Sequence, residues 1–190
     1  TSHYDMVMAQ TLFTCLKQRH GDDCMIDVLA PDWSRPILER MPEVRQALSF
    51  PLGHGALELR TRREIGHGLR GQYDQAILLP NSLKSALVPF FADIPLRTGW
   101  RGEMRYGLLN DVRKLDKQAY PLMIERFMAL AYEPGIELPK PFRAQVWSPR
   151  KCARLSWPVR PAERTRGLPI RGVEILPDMH MASAAGPSRT

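Results

Sequence analysis

The residues best placed to do chemistry are the polar side chains that follow predicted strands. In an open parallel sheet, ligands bind beyond the carboxyl ends of the strands, and helices that begin there favour anions at their amino ends. Residues of this kind should therefore gather along one edge of the sheet, and they are Asp5, Asp32, Asn81, Ser82, Thr98 and Trp100. The pattern predicts a site for a polar or anionic ligand at that edge.

Asp5 stands at the start of the first predicted helix and has two interpretations. Its carboxylate could act as a general base that accepts a proton from a bound hydroxyl group. It could also be a helix N-cap, which stabilises a helix by about 1 kcal/mol. Spacing alone favours the N-cap.

The segment 97–106 combines three arginines with two aromatic residues and two glycines. Arginine forks bind phosphate or carboxylate groups, aromatic rings pack on apolar faces, and glycine lets the backbone turn tightly. These features make Thr98, Trp100 and Arg101 candidate residues for binding an anionic sugar. A solvated loop would have the same composition, so both interpretations stay open.

Two further residues are weaker candidates. Lys84 lies in the first turn after Asn81, where a cation is poorly placed for the helix dipole, so a nearby anion would explain it. His54 lies between two glycines and could bind a ligand. For each, an ordinary surface residue is the simpler interpretation. The sequence has no Gly-x-Gly-x-x-Gly motif, Walker loop, zinc-ligand spacing or nucleophile elbow, so we expect no metal and no cofactor.

Strands and helices alternate along residues 1–142, which predicts a Rossmann-like α/β domain with a parallel sheet. The patterns predict strands at 25–30, 47–50 and 75–80, a strand followed by a turn within 96–100, and helices at 6–20, 60–69, 81–91 and 121–132. A strand normally precedes the first helix of this fold, and residues 1–4 are too few to form one. We therefore expect a missing central strand, with unpaired backbone groups on its neighbours near 26–30 and 76–80.

Residues 143–190 differ from residues 1–142 in composition. They carry a net charge of +6, against +1 for residues 1–142, and they have no sustained helical or strand period. This pattern predicts a tail that is disordered or foreign to the domain. Its arginines and tryptophans leave open a binding module for nucleic acid or anionic lipid.

Features of the whole chain favour a cytoplasmic location. No apolar run reaches the roughly 18 residues that a membrane helix needs, and the first residues resemble no signal peptide. Cys15, Cys24 and Cys152 fit no disulfide or metal spacing, which is typical of a reducing compartment.

Long segments in a fixed order resemble one protein family. They fall at 5–13, 26–31, 41–44, 51–58, 79–92 and 97–111, and two of them contain Pro80-Asn81-Ser82 and Arg97-Thr98-Gly99-Trp100-Arg101-Gly102. Over residues 5–142 the chain resembles the amino-terminal half of the ADP-heptose:lipopolysaccharide heptosyltransferases of type II, in glycosyltransferase family 9.

The resemblance implies one domain of a two-domain GT-B glycosyltransferase, with its first strand missing. The family transfers L-glycero-D-manno-heptose from ADP-heptose to the inner-core heptose of lipopolysaccharide, with inversion. The implied partner is the lipid A-Kdo-heptose acceptor at the cytoplasmic face of the inner membrane, where the protein would be peripheral. The donor ADP-heptose is expected on the carboxyl-terminal domain, and nucleic acid is not expected as a partner.

The resemblance also implies roles for individual residues. The family's catalytic aspartate precedes a methionine just after the first strand, so Asp5-Met6 imply that Asp5 is the base. Because the amino-terminal domain meets the acceptor, acceptor binding is expected of Asn81, Ser82, Lys84, Thr98, Trp100, Arg101 and His54. His3-Tyr4 replace a valine and a glycine of the family pattern, and the donor-binding segments do not appear after residue 142. We therefore expect the chain alone to be inactive, with a basic-tail binding module as the alternative.

Overall fold

The computed structural model describes residues 3–52, 57–139 and 171–175 of the 190-residue chain. The helices are α1 (His3–His20), α2 (Arg35–Leu38), α3 (Leu59–Gly68), α4 (Leu87–Phe91) and α5 (Met123–Ala131). The strands are β1 (Met25–Ala30), β2 (Val44–Ser49), β3 (Gln75–Leu78), β4 (Leu96–Trp100), β5 (Asp111–Arg113) and β6 (Arg171–Ile175). Two 3-10 turns lie at Asp32–Ser34 and Leu83–Ala86.

The six strands form one parallel sheet in the order β2-β1-β6-β3-β4-β5. Helices α1 and α5 pack together over one buried cluster, and α3 packs on α4 over a second cluster. The fold is therefore the Rossmann-like α/β arrangement that the alternation of strands and helices predicted.

Strand β6 fills the centre of the sheet, so the expectation of an unfilled central position is wrong. Its residues pair in parallel with β1 from Met25 to Leu29 and with β3 from Gln75 to Leu78. The strands beside it therefore have hydrogen-bonding partners. The expectation of a disordered tail is also wrong over these five residues. Buried backbone N–H and C=O groups must be paired, and an extended segment distant in sequence meets that need.

Alternation along the strands divides the core between the two faces. Ile26, Val28 and Ala30 of β1 lie in the cluster beneath α1 and α5, and Leu29 lies in the cluster beneath α3 and α4. The close approach of α3 to α4 depends on Gly66, where an added Cβ would lie 2.6 Å from Cβ of Phe91. Both faces of the sheet are therefore covered, as is usual for parallel sheets.

Helix α1 runs opposite to the strands. Gly21 ends it in the left-handed conformation (φ 75°), as the sequence predicted, and its N–H donates to Lys17 O at 2.8 Å. Four residues later the chain enters β1 at its amino end. An 18-residue helix is about 27 Å long, so α1 extends along β1 towards the carboxyl edge of the sheet.

Some predicted boundaries differ from the structure. The helix expected at 81–91 is a 3-10 turn followed by α4, and the Ser85 hydroxyl donates to Ser82 O at 2.6 Å. Such side-chain bonds compete with the regular helical pattern. Strand β5 was not predicted because three residues are too few to show an alternation of apolar and polar side chains. Among the described helices, none combines the length and the apolar character that crossing a bilayer requires.

Candidate functional site

The turns that follow β3 and β4 are in direct contact at the carboxyl edge of the sheet. The N–H of Glu103 donates to Asn81 O at 3.0 Å, and the Glu103 carboxylate accepts from Leu83 N at 2.8 Å. A Cβ added at Gly102 would lie 2.7 Å from Cβ of Asn81 and nearer still to its carbonyl oxygen. We call residues 80–86 and 101–106 the rim. Within it, Asn81 and Arg101 are exposed to solvent.

Arg105 holds the two parts of the rim together from beneath. Its guanidinium is 2% exposed and donates to Pro80 O at 2.6 Å and to Trp100 O, with a longer contact of 3.4 Å to Ser85 Oγ. Its Nε has no hydrogen-bond partner among the described residues. Burial lowers the pKa of Arg105, and the nearby Glu103 carboxylate opposes that shift.

Arg105 was not among the residues singled out from the sequence. A signal for it existed, because it is the third arginine of the candidate segment 97–106. Spacing alone does not separate a buried structural arginine from an exposed one that binds ligand. Its buried position makes it a residue that shapes the rim rather than one that touches a ligand.

Arg62 fixes the turn at residues 82–86 from the α3 side. Its side chain is 1% exposed, donates to Leu57 O at 2.8 Å and to Lys84 O at 3.3 Å, and lies 5.1 Å above the Phe50 ring. The backbone of Lys84 is thus held by α3, and its side chain is half-buried. Ser82, also half-buried, lies on the same turn beside the exposed Asn81.

Thr98 and Trp100 do not present their side chains at the rim, contrary to the sequence expectation. Thr98 lies in the middle of β4 with no exposed surface, and its hydroxyl accepts from Gln75 Nε2 at 3.2 Å. Trp100, 6% exposed, donates from Nε1 to Arg126 O at 3.2 Å. Both belong to β4 itself, because the strand continues through Trp100 before the turn begins. The composition of the segment suggested a ligand-binding turn, but the side chains of Thr98 and Trp100 are buried in the protein interior.

Asp5 lies in the first turn of α1 and is half-buried. The helix already includes His3, so Asp5 is inside the helix and the N-cap interpretation is wrong. A carboxylate in the first turn is stabilised by the helix dipole. Because α1 runs opposite to the strands, Asp5 is at the helix end that points towards the carboxyl edge of the sheet. The neighbouring Met6 is buried in the same large cluster as Leu79 and Trp100.

The other candidates from the sequence are less informative. Asp32 lies just after β1, is exposed, and accepts from Ser49 Oγ at 2.6 Å at the end of β2. His54 lies outside the described residues. Among the side chains described in 5–52 and 57–139, no three His, Cys, Asp or Glu residues are grouped closely enough to hold a metal ion.

Comparison with known proteins identifies the family. The pattern described as glycosyltransferase family 9 (heptosyltransferase) matches residues 62–154. Lipopolysaccharide heptosyltransferase 2 of Escherichia coli K12 is 62% identical over 143 residues, which is 72% of this chain and 41% of that protein. This chain is similar to the heptosyltransferases of glycosyltransferase family 9.

Further relatives agree with this family assignment. Lipooligosaccharide heptosyltransferase 2 of Haemophilus influenzae is 56% identical over 136 residues, covering 72% of this chain and 38% of the relative. The solved structure of Escherichia coli ADP-heptose lps heptosyltransferase II superposes with a TM-score of 0.67 at 55% identity, over 74% of this chain and 42% of that one. The chain thus spans about two fifths of the length of these family 9 relatives.

The family match includes the rim but not every candidate residue. Asn81, Ser82, Lys84 and Arg101 fall inside the matched residues 62–154, and so does the buried Arg105. Asp5 lies before them. The rim is therefore the part of the candidate site that lies within the family 9 pattern, whereas the role of Asp5 stays a prediction.

Proposed function

We propose that this chain forms the acceptor side of a family 9 heptosyltransferase. Its reaction moves L-glycero-D-manno-heptose from ADP-heptose onto an inner-core heptose of lipopolysaccharide. The observation that carries the proposal is the contact of Asn81 with Gly102 and Glu103, which builds one continuous rim at the carboxyl edge of a parallel sheet. The 62% identity to Escherichia coli lipopolysaccharide heptosyltransferase 2 supports the same reaction.

The proposed transfer is a single displacement that inverts the anomeric carbon of the donor. The Asp5 carboxylate takes the proton of the acceptor hydroxyl as the hydroxyl oxygen forms its bond to the anomeric carbon. The bond between that carbon and the ADP oxygen breaks, and ADP leaves with the electron pair. No covalent enzyme intermediate is needed, so a single carboxylate base is sufficient.

The rim supplies the proposed acceptor contacts. Arg101, which is exposed, and Lys84 are proposed to bind anionic groups of the acceptor, because their cationic donors pair with phosphate or carboxylate oxygens. Asn81 and Ser82 are proposed to hydrogen-bond its hydroxyl groups. His54 remains a candidate on sequence grounds alone. Thr98 and Trp100 are left out because their side chains are buried.

The acceptor determines the proposed location. Lipid A-Kdo-heptose is a membrane lipid, so we place the protein in the cytoplasm, peripheral to the inner membrane, without a nucleic-acid partner. ADP-heptose is proposed to bind a second, donor-side domain. The family's donor-binding segments do not occur in the 190-residue sequence, so this polypeptide alone is proposed not to turn over ADP-heptose.

A chimera tests the proposal. Residues 5–139 would replace the corresponding part of the Escherichia coli relative, and transfer from ADP-heptose to a heptose-bearing core acceptor would be measured. We expect activity from the chimera and none from the 190-residue chain. A folded chimera that binds ADP-heptose but transfers nothing to the acceptor would refute the acceptor-side assignment.

A basic binding module is the second candidate, and the net charge of +6 in residues 143–190 favours it. The discriminating measurement is a titration of the whole chain against duplex DNA and against anionic vesicles at increasing salt concentration. Micromolar or tighter binding at physiological salt that weakens steeply with salt would support the module. Weak binding to both probes is what the heptosyltransferase proposal expects.

A further inference from the structure

We propose that the gap between β1 and β3 is a strand-binding slot, which β6 fills within the chain and which accepts an extended parallel peptide supplied separately. The proposal concerns the sheet and is independent of the proposed catalytic function. Its ligand class is a peptide of five to seven residues in the β conformation with apolar residues at its centre.

The first argument is the position of β6 in the sheet. Met25 to Leu29 pair with Arg171 to Ile175 on one side, and Gln75 to Leu78 pair with Gly172 to Ile175 on the other. Strand β6 is thus central in space although it is the last described element of the chain. Residues 140–170 separate it from the rest of the domain, so it is joined to the sheet by pairing rather than by a short connection.

The second argument is the mismatch between β6 and the slot. Glu174 is in register with Val28 and Ile77, and both of those neighbours are buried. Gly172 is in register with Ile26. Glycine and glutamate are both depleted in strands, and central strands of parallel sheets are normally rich in β-branched residues. The buried residues beside the slot therefore suit a strand that is more apolar than β6.

The third argument concerns the backbone of the neighbours. Without a strand between them, β1 and β3 would each present buried N–H and C=O groups that water reaches poorly. Peptides bind exposed strand edges by supplying these missing hydrogen bonds, and side chains at alternate positions give specificity. A peptide in the slot would form hydrogen bonds with both β1 and β3. This favours the slot over the outer strands β2 and β5, where a peptide could pair on one side only.

The tethered β6 competes with any added peptide. A segment tethered to its own binding site acts at an effective concentration of the order of millimolar. The experiment therefore weakens the internal strand first. Val173→Pro in the full chain removes one ladder N–H and disfavours a central strand position. Peptides of residues 170–176 are then added in three forms: the native sequence, the sequence with Gly172→Val and Glu174→Val, and a control with Val173→Pro.

The readouts are amide hydrogen exchange in β1 and β3 and the thermal midpoint of the full-length variant. We expect Val173→Pro to speed exchange at the slot-facing amides at least about tenfold, and the native peptide to restore protection saturably. The doubly substituted peptide is expected to act at about tenfold lower concentration. The proline peptide is expected to have no effect.

Other outcomes would overturn the proposal. Wild-type protection in the Val173→Pro chain would mean that β6 does not hold the slot. Failure of both active peptides at millimolar concentration would mean that the slot does not accept a separate strand. Equal action of the proline peptide would indicate non-specific binding. If the variant does not fold, recovery of folding on peptide addition becomes the readout, and its absence counts against the slot.

Discussion

The guanidinium of Arg105 donates to the carbonyl oxygen of Pro80 at 2.6 Å, joining the turn after β4 to the end of β3. The same guanidinium donates to Trp100 O. These bonds hold Asn81 against Gly102, so the exposed groups of the rim depend on a buried cation.

Arg105→Met should destabilise the domain. The change leaves the carbonyl groups of Pro80 and Trp100 without their donor, at about 1–3 kcal/mol per buried group. Removal of a buried charge offsets part of that cost, so we expect the free energy of unfolding to fall by about 1–3 kcal/mol in urea titrations. Arg101→Met, on the exposed part of the same turn, should change it by less than about 0.5 kcal/mol. Equal losses in the two variants would contradict the role of Arg105.

Gly102→Ala should disturb the rim because the new Cβ would meet the Asn81 backbone. We expect a loss of about 1–3 kcal/mol in the free energy of unfolding, the usual cost of overpacking. Gly68→Ala is the matched control, since a Cβ added there would meet nothing within 4 Å and the residue is helical. That control should stabilise slightly. A Gly102→Ala protein as stable as the control would show that the contact is not tight.

Asp5→Asn should abolish most of the transfer activity of the chimera. Asparagine keeps the size of the side chain but cannot accept the hydroxyl proton, so we expect kcat to fall about 10²–10⁴-fold with little change in KM. Asp22→Asn, an exposed residue at the other end of α1, is the control and should retain the original rate. An unchanged rate for Asp5→Asn would remove Asp5 from the role of base.

Stability should fall as pH rises above about 10. The Tyr73 hydroxyl donates to the buried Asp27 carboxylate at 2.6 Å, and burial together with this bond raises the pKa of Tyr73 above its usual 10.0. Burial also raises the pKa of Tyr132, to about 12. The unfolded chain loses these protons near pH 10 while the folded chain keeps them. The two tyrosines therefore stabilise the fold fully below about pH 10. This stabilisation is lost as the pH rises from there through their folded-state pKa values.

Urea unfolding measured at several pH values between about 8 and about 11 checks this prediction. Tyr73→Phe should flatten the alkaline decline and should cost about 1 kcal/mol at neutral pH, because Asp27 loses one donor. Tyr106→Phe, at an exposed tyrosine, should leave the pH profile unchanged. An identical decline in the Tyr73→Phe and Tyr106→Phe proteins would exclude Tyr73 as its source.

Much of the fold could be read from local patterns. The apolar run that forms β3 and the helix that Gly21 ends were predicted because each is decided by residues within a few positions of one another. The position of Asn81 at the sheet edge followed in the same way, since it comes directly after a buried strand. Thr98 and Trp100 were misplaced because the end of a strand is poorly marked when the chain continues through a glycine and a tryptophan.

The sequence by itself determined the parallel α/β class, the family resemblance and the edge at which polar groups collect. Only the tertiary structure decided that Arg171–Ile175 completes the sheet, that Trp100 faces α5 and that the buried Arg105 joins the two parts of the rim. The reason is physical. Periodicity records which face of an element is apolar, whereas the partner of a buried backbone or guanidinium group is chosen among all segments that can reach it, however distant in the chain.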